Sequence, residues 1–277
     1  MKLMPSLSIN IHSRLMDFSV PRIMAILNVT PDSFAVHCDT VCEADVLKDA
    51  LAAVQAGADI LDIGGCSTRP GSVPVDETEE WRRVSLALHA VRSALPDIPI
   101  SVDTFRPMVA RRAVEKGADM INDVSGGQTT PEMWEVVSRT RVPYIIGYPA
   151  APVNETDAVR LQTHMLDYFQ SGLDRLYRMG VADVVLDPCF GFAKTQAQNY
   201  TLLNHLDVLQ VLQAPVLVGV SRKSMLCNPL QLTPDTALNA TTAAHMMALE
   251  RGANILRVHD VAAAKEAIKI YQLTRQN

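Results

Sequence analysis

Apolar residues along this chain gather in eight short runs, and the runs begin in two alternating ways. Four follow a glycine with an alanine close behind and then an aspartate or asparagine: AGADILDIGG, KGADMINDVSG, MGVADVVLDP and RGANILRVHD, around Gly57, Gly117, Gly180 and Gly252. Each glycine ends a stretch with helical spacing, such as Val46, Leu47, Ala50, Leu51 and Val54, and so suits the left-handed position that closes a helix. The other four runs open on a proline: VPRIMAILN, IPISVDT, VPYIIGY and APVLVGV, at Pro21, Pro99, Pro143 and Pro215. Proline at a strand's first position forfeits no ladder hydrogen bond that matters. The order Pro21, Gly57, Pro99, Gly117, Pro143, Gly180, Pro215, Gly252 predicts eight strands separated by helices.

Short strands that are apolar almost throughout are buried on both faces, as in a parallel sheet flanked by helices. Eight such units in 277 residues predict an α/β fold, a closed parallel (β/α)8 TIM barrel forming a single domain over residues 1–277. An open doubly wound sheet would carry a glycine-rich phosphate turn after its first strand, and here that turn reads NVTPDSF. The opening LSINIH alternates apolar and polar residues, which predicts an additional N-terminal β-hairpin.

Composition narrows the field. With 48% hydrophobic and 20% charged residues the chain has ample material for a large core. A net charge of -5 argues against nucleic acid as a partner, since such a partner needs a basic face. Pro5, Ser6, Ser8, Asn10 and His12 interrupt any run able to act as a signal peptide, and no run approaches a membrane span. Five cysteines, an odd number, fit reduced thiols in the cytoplasm.

In such barrels the chemistry sits at the C-terminal ends of the strands. Those ends read Asn28, Asp62, Asp103, Asn122 with Asp123, Gly147 with Tyr148, Asp187, Arg222 with Lys223, and Arg257 with His259. A single Asp at a strand end is more often a helix cap or a satisfied buried acid than a ligand contact. Several acids facing Arg69, Lys194, Arg222, Lys223 and Arg257 on one rim are not required by structure alone. Carboxylates suit the paired N–H donors of a heterocycle, and the bases suit a pyrophosphate and a carboxylate.

The motifs ILNVTPDSF, DIGGCSTRPG, SVDT, INDVSG, LDPCFGFAKT, GVSRKSML and RVHDV resemble, in order, the blocks of the dihydropteroate synthase family. INDVSG alone would also suit the methyltetrahydrofolate methyltransferases, but those have no use for SRKS and RVHD on the rim. The resemblance implies a transferase of folate biosynthesis that joins a pterin pyrophosphate to p-aminobenzoate, with magnesium (Mg2+) as cofactor and a homodimeric assembly. It also leaves room for a pterin-binding paralogue with lost or altered activity. By the same resemblance Asp103, Asn122, Asp187 and Lys223 form the pterin site, with Asp62 and Phe192 nearby. Thr68, Arg69, Pro70 and Ser224 form the aminobenzoate site. Asn28, Arg257 and His259 take the pyrophosphate, and Asn28 is similar to the family's magnesium-contacting asparagine. Asn28, Lys223, Arg257 and His259 are the catalytic set that the resemblance implies. Assigning Arg257 to the leaving group implies that Arg257→Ala abolishes turnover and spares pterin binding.

The chain departs from the family pattern in four places. FAVHCDT replaces a Ser-Asp-Gly-Gly type first loop, which has lost its glycines and whose acid has either moved to Asp39 or is missing, and Cys66 stands where many members have Glu. In the sixth block Cys189 and Ala193 replace glycines, adding bulk beside the pterin pocket. Gly147-Tyr148-Pro149 replaces Met-His-Met at the fifth strand end, so that either Tyr148 supplies an alternative stacking surface or the pocket accepts a different ligand. The first and second loops, from Thr30 to Thr40 and from Cys66 to Pro74, are expected to close over the site. His37, Cys38 and Cys42 fit no standard zinc spacing. His89, His164, His205 and His245 fall on helical stretches as surface or satisfied residues, and HMMALERG reads as a helix packed on the barrel.

Overall fold

Each of the eight apolar runs forms a strand. The computed structural model describes residues 7–12, 14–29, 42–66, 75–127, 130–153 and 155–275. β1 (Ser8–Ile11) and β2 (Arg14–Asp17) make the expected antiparallel hairpin, with Ser8 opposite Asp17. β3 (Arg22–Asn28), β4 (Ile60–Gly64), β5 (Ile100–Asp103), β6 (Met120–Asp123), β7 (Tyr144–Gly147), β8 (Val184–Asp187), β9 (Leu217–Val218) and β10 (Ile255–Val258) form one sheet in the order β8-β7-β6-β5-β4-β3-β10-β9. All its pairings are parallel. Its two ends meet through a parallel bridge between Leu186 and Val216, and the Leu186 N–H reaches the Pro215 carbonyl at 2.8 Å. The sheet thereby curls into a barrel.

The helices are α1 (Glu43–Ala56), α2 (Glu77–Ala94), α3 (Pro107–Glu115), α4 (Glu132–Thr140), α5 (Ala158–Arg178), α6 (Gln196–Asn204), α7 (Ser224–Leu230), α8 (Leu238–Glu250) and α9 (Val261–Thr274). Side-chain caps start several of them: Asp76 accepts the Glu79 N–H, Asp157 the Arg160 N–H, and Thr195 with Gln198 forms a reciprocal capping box. At the other end of α1, Gly57 has φ +108°, and its N–H reaches back to Ala53 and Val54 carbonyls. The glycines of the other three repeats share that positive φ.

The two classes of strand start are two halves of one joint. Proline has no N–H to give, but its carbonyl still accepts: Pro99, Pro143 and Pro215 take the N–H groups of Leu61, Ile121 and Leu186 on the preceding strands. The Asp or Asn of the glycine class then meets an N–H group one or two residues beyond a proline. Asp59 accepts from Ile23 at 2.8 Å, Asp119 from Ile100 at 2.7 Å and Asn254 from Val216 at 2.9 Å. Asp183 serves the hairpin instead, accepting the Asn10 N–H at 2.9 Å. A buried N–H without an acceptor is costly, so these side chains fix where each strand starts against its neighbour.

Two apolar layers follow. One lies between the sheet and the helices. The other fills the N-terminal half of the barrel: Met24, Ile60, Met120, Ile145, Val185, Leu217 and Ile255 gather around Ile9, Ile11 and Phe18 of the hairpin segment. The hairpin is thus a plug. Replacing Phe18 by Ala is expected to lower the unfolding free energy by about 3–5 kcal/mol, read from chemical denaturation. A loss below about 1 kcal/mol would mean that the plug contributes little.

Candidate functional site

Strand side chains alternate between faces, so the residue two positions beyond an interior one also points inward. Two beyond the apolar plug layer, Ile60 gives way to Asp62, Met120 to Asn122, Val185 to Asp187 and Ile255 to Arg257. On β7 and past β9 the same step gives Gly147 and Gly219, which leave space. On β4, β6, β8 and β10 the interior therefore switches from apolar to polar within one residue pair. Register brings the groups together: Asn28 lies opposite Gly64, Gly64 opposite Asp103, Asp103 opposite Asn122 and Gly147 opposite Asp187. Asn28, Asp62, Asp103, Asn122, Asp187, Lys223 and Arg257 thus share one mouth.

Arg257 sits at its centre. Its Nε donates to Asp62 Oδ2 at 2.6 Å and its Nη2 to Asp103 Oδ2 at 2.6 Å, while the Asn122 amide donates to the same Asp62 oxygen at 3.0 Å. Asp62 Oδ1 is buried and has no hydrogen-bond partner among the described residues, so one carboxylate oxygen remains for an incoming donor. Asp187 is anchored by the Cys189 N–H at 2.8 Å. The Lys223 ammonium donates to the Phe190 carbonyl and lies 4.5 Å from the Phe192 ring centroid. It also lies beside Gly219, next to Arg257.

Burial sets the electrostatics. It pushes the Asp103 carboxyl up to about 7, against the attraction of Arg257 and with further upward push from Asp62. It lowers the Lys223 ammonium to about 8, while the negative charge of Asp187 works the other way. Burial works against the Arg257 guanidinium too, but Asp62 and Asp103 together hold it above its ordinary value.

The opposite side of the mouth is built from the loops after β9 and β10. Arg222 grips Asp260 with both arms of its fork, at 3.0 and 2.6 Å, and Ser221 Oγ lies 3.0 Å from His259 Nδ1. Asn28, Arg222 and His259 line a cavity of about 770 Å³ that extends between α1 and α9. Ser224 opens α7 and is exposed.

Several expectations change. The Arg257 guanidinium is tied to the two acids rather than held apart for an anion, because buried carboxylates need a counter-charge. Its removal would leave both acids without their guanidinium partner. Arg222 is paired with Asp260, and Lys194 donates to the carbonyls of Tyr148, Cys189 and Phe192. Neither is a free rim cation. Asp123 is structural: it holds the Ser125 and Gly127 N–H groups and the Tyr144 hydroxyl. Tyr148 is fully buried among His164, Tyr168 and Phe169, with its hydroxyl 2.7 Å from His164 Nδ1, and presents no open face for stacking. His245 is neither exposed nor satisfied; it is buried and its Nε2 has no partner among the described residues. Thr68, Arg69 and Pro70, the first-loop residues Thr30 to Thr40 and all but Cys66 of the second loop lie outside the described residues, as do His37 and Cys38.

The substituted glycines have a physical reading. Cys189 and Ala193 keep positive φ, +52° and +40°, although they carry side chains. A Cβ on Gly147 would lie 2.6 Å from the Val124 carbonyl oxygen, 2.8 Å from that of Asp123 and 2.8 Å from Cys189 Sγ. The sulfur and the backbone of β6 occupy the space that a side chain at the end of β7 would need. Sequence reasoning missed Glu80, which is fully buried, accepts from the Thr104 hydroxyl at 2.6 Å and pairs with Arg106. The signal was present, since Glu80 shares the inward face of α2 with Val84, Ala87, Leu88 and Val91.

This is a parallel barrel with acids, an amide and two partly buried cations gathered at one mouth, and the profile of the pterin binding enzymes matches residues 24–259. Among relatives, dihydropteroate synthase of Synechocystis sp. is 42% identical over 90% of this chain and 88% of its own length. That of Escherichia coli K12 is 36% identical over 94% and 93%. Among solved structures, Xanthomonas albilineans dihydropteroate synthase with 4-aminobenzoic acid superposes with a TM-score of 0.88 at 37% identity, covering 98% of this chain and 99% of that one. The Coxiella burnetii dihydropteroate synthase in complex with pteroic acid gives 0.87 at 35% identity, covering 98% and 99%. The chain belongs to the dihydropteroate synthase family.

Two outcomes follow from this geometry. Asp103 should titrate near 7 by carboxyl 13C NMR, and Arg257→Gln should raise that value by removing the attracting charge; an unmoved Asp103 would break the pairing. Because the folded carboxyl binds its proton more tightly than the ordinary value of 3.8, its contribution to stability is full below that pH and is lost as pH rises through about 7. Gly147→Ala should cost about 1–3 kcal/mol in chemical denaturation; a neutral result would show that β6 and Cys189 yield freely.

Proposed function

We propose that this chain is a dihydropteroate synthase, joining 6-hydroxymethyl-7,8-dihydropterin pyrophosphate to p-aminobenzoate to give 7,8-dihydropteroate and pyrophosphate. The observation that carries this reading is the Arg257 bridge, which ties Asp62 and Asp103 together in one mouth while Asp62 Oδ1 has no hydrogen-bond partner among the described residues. In this reading Asp103, Asp187 and Asn122 meet the N–H edge of the pterin, Lys223 meets its ring carbonyl or N5, and Phe192 flanks it. Ser224, with Thr68, Arg69 and Pro70, takes the aminobenzoate. Asn28, His259 and the outer face of Arg257 take the pyrophosphate.

The bond between the pterin methylene carbon and the pyrophosphate oxygen breaks, and its electron pair leaves with the pyrophosphate. The pterin ring stabilises the cation formed, and the aryl amine nitrogen donates its lone pair to that carbon and then loses a proton. Positive groups preset around the leaving oxygen lower the barrier because they need no reorganisation. In this reading Arg257 supplies such charge at the pyrophosphate and Lys223 supplies it at the adjoining pterin ring, and their desolvation strengthens the effect.

Among the described residues no three His, Cys, Asp or Glu side chains could hold a metal ion. The neutral amide oxygen of Asn28 fits a magnesium ion that arrives on its pyrophosphate and keeps its own waters. When bound, magnesium supplies charge neutralisation on the leaving group. A homodimer in the cytoplasm belongs to the same reading. Tyr200, Leu238 and Met247 expose apolar side chains on the neighbouring helices α6 and α8, and no described helix is long and apolar enough to cross a membrane.

Purified protein supplied with both substrates and magnesium should form dihydropteroate and should complement a folate-requiring strain. Pterin binding without either would identify a paralogue. Arg257→Ala should lose turnover and weaken pterin binding together, by about a hundredfold or more in turnover; intact pterin affinity in that variant would show that Asp62 and Asp103 do not depend on it.

A further inference from the structure

His259 can present either ring nitrogen as a donor, and the structure contains a device that decides which. Ser221 is 4% exposed and follows β9, while His259 follows β10. The Ser221 Oγ accepts the backbone N–H of His259 at 3.2 Å and lies 3.0 Å from Nδ1 of the same residue. The hydroxyl has no other hydrogen-bond partner among the described residues. If Nδ1 carried the ring proton, it would donate to Oγ and leave the buried Ser221 O–H without an acceptor, an arrangement that folded proteins avoid. If Nδ1 is bare, the Ser221 O–H donates to it, every group is satisfied, and the ring proton resides on Nε2.

The two loops are held in this register without help from any ligand. Arg222, the next residue after Ser221, grips Asp260, the next residue after His259, and its own N–H donates to Thr241 Oγ1 at 3.1 Å. The neighbouring Arg222–Asp260 pair therefore fixes the distance across which Ser221 reads His259.

We propose that Ser221 is a positioning residue that locks His259 in the Nε2–H tautomer, so that the ring offers a neutral N–H donor to an oxygen of the leaving pyrophosphate. This deepens the proposed function and rests on it for the identity of the anion, but the tautomer itself does not. Ser221 touches no substrate in this scheme and acts through the imidazole.

Long-range 15N NMR of the histidine rings tests the assignment, with the His259 signals identified by their loss in His259→Gln. The full-length protein should show a single Nε2–H tautomer at neutral pH. Ser221→Ala should convert it to an averaged mixture of both tautomers and weaken inorganic pyrophosphate binding about tenfold, with pterin binding unchanged. Ser221→Thr, which keeps the hydroxyl, should restore both the tautomer and the affinity. An Nδ1–H tautomer in the unaltered protein, or a Ser221→Ala spectrum identical to it, would overturn the proposal. Pyrophosphate that fails to bind the unaltered protein would count against the proposed function instead, leaving the spectra to decide the role of Ser221.

Discussion

The partly buried Arg257 guanidinium, shared between Asp62 and Asp103, is the interaction on which the rest of the site depends. Two carboxylates on adjacent strands β4 and β5 would repel each other in a desolvated mouth without a counter-charge between them. One planar fork on β10 answers both through separate nitrogens, which a lysine could not do with the same fixed geometry. The pairing also explains why Asp103 stands near 7 rather than higher, and why Asp62 can keep one oxygen in reserve. A site organised in this way has its acceptors preset before a heterocycle arrives.

The barrel supplies the distances. β3, β4 and β10 are adjacent in the sheet, so residues 195 positions apart in sequence, Asp62 and Arg257, come within 2.6 Å. Their heights are set at the strand starts, where Asp59, Asp119 and Asn254 accept the N–H groups of Ile23, Ile100 and Val216. Below them the hairpin plug fills the interior with Ile9, Ile11 and Phe18 and holds the site at the C-terminal end. On β4, β6, β8 and β10 plug and site thus form one stack, apolar at the base and polar two residues above.

Much of this was legible in the sequence because strands buried on both faces are written as apolar runs, and because glycine and proline mark their starts. Eight strands in the right places, the hairpin and the convergence of Asp62, Asp103, Asn122, Asp187, Lys223 and Arg257 all followed from that punctuation. Partners were not legible, because a hydrogen bond across the barrel leaves no local trace. The repeated Asp and Asn were visible, but their work as strand pins depends on a neighbouring strand 19 to 38 residues away. Lys194 reads as a rim cation and proves to be a clasp between loops, and Tyr148 reads as a pocket wall and proves to be core. Gly147 and Cys189 look like separate departures from the family until the sulfur is found beside the missing side chain.

A crystal structure of the protein with a dihydropterin substrate bound tests the central claim most directly. The account predicts the ring's N–H donors on the carboxylates of Asp103 and Asp187, with Arg257 still bridging Asp62 and Asp103 beneath it. A pterin seated elsewhere, or an Arg257 released from both acids when the ring enters, would contradict it.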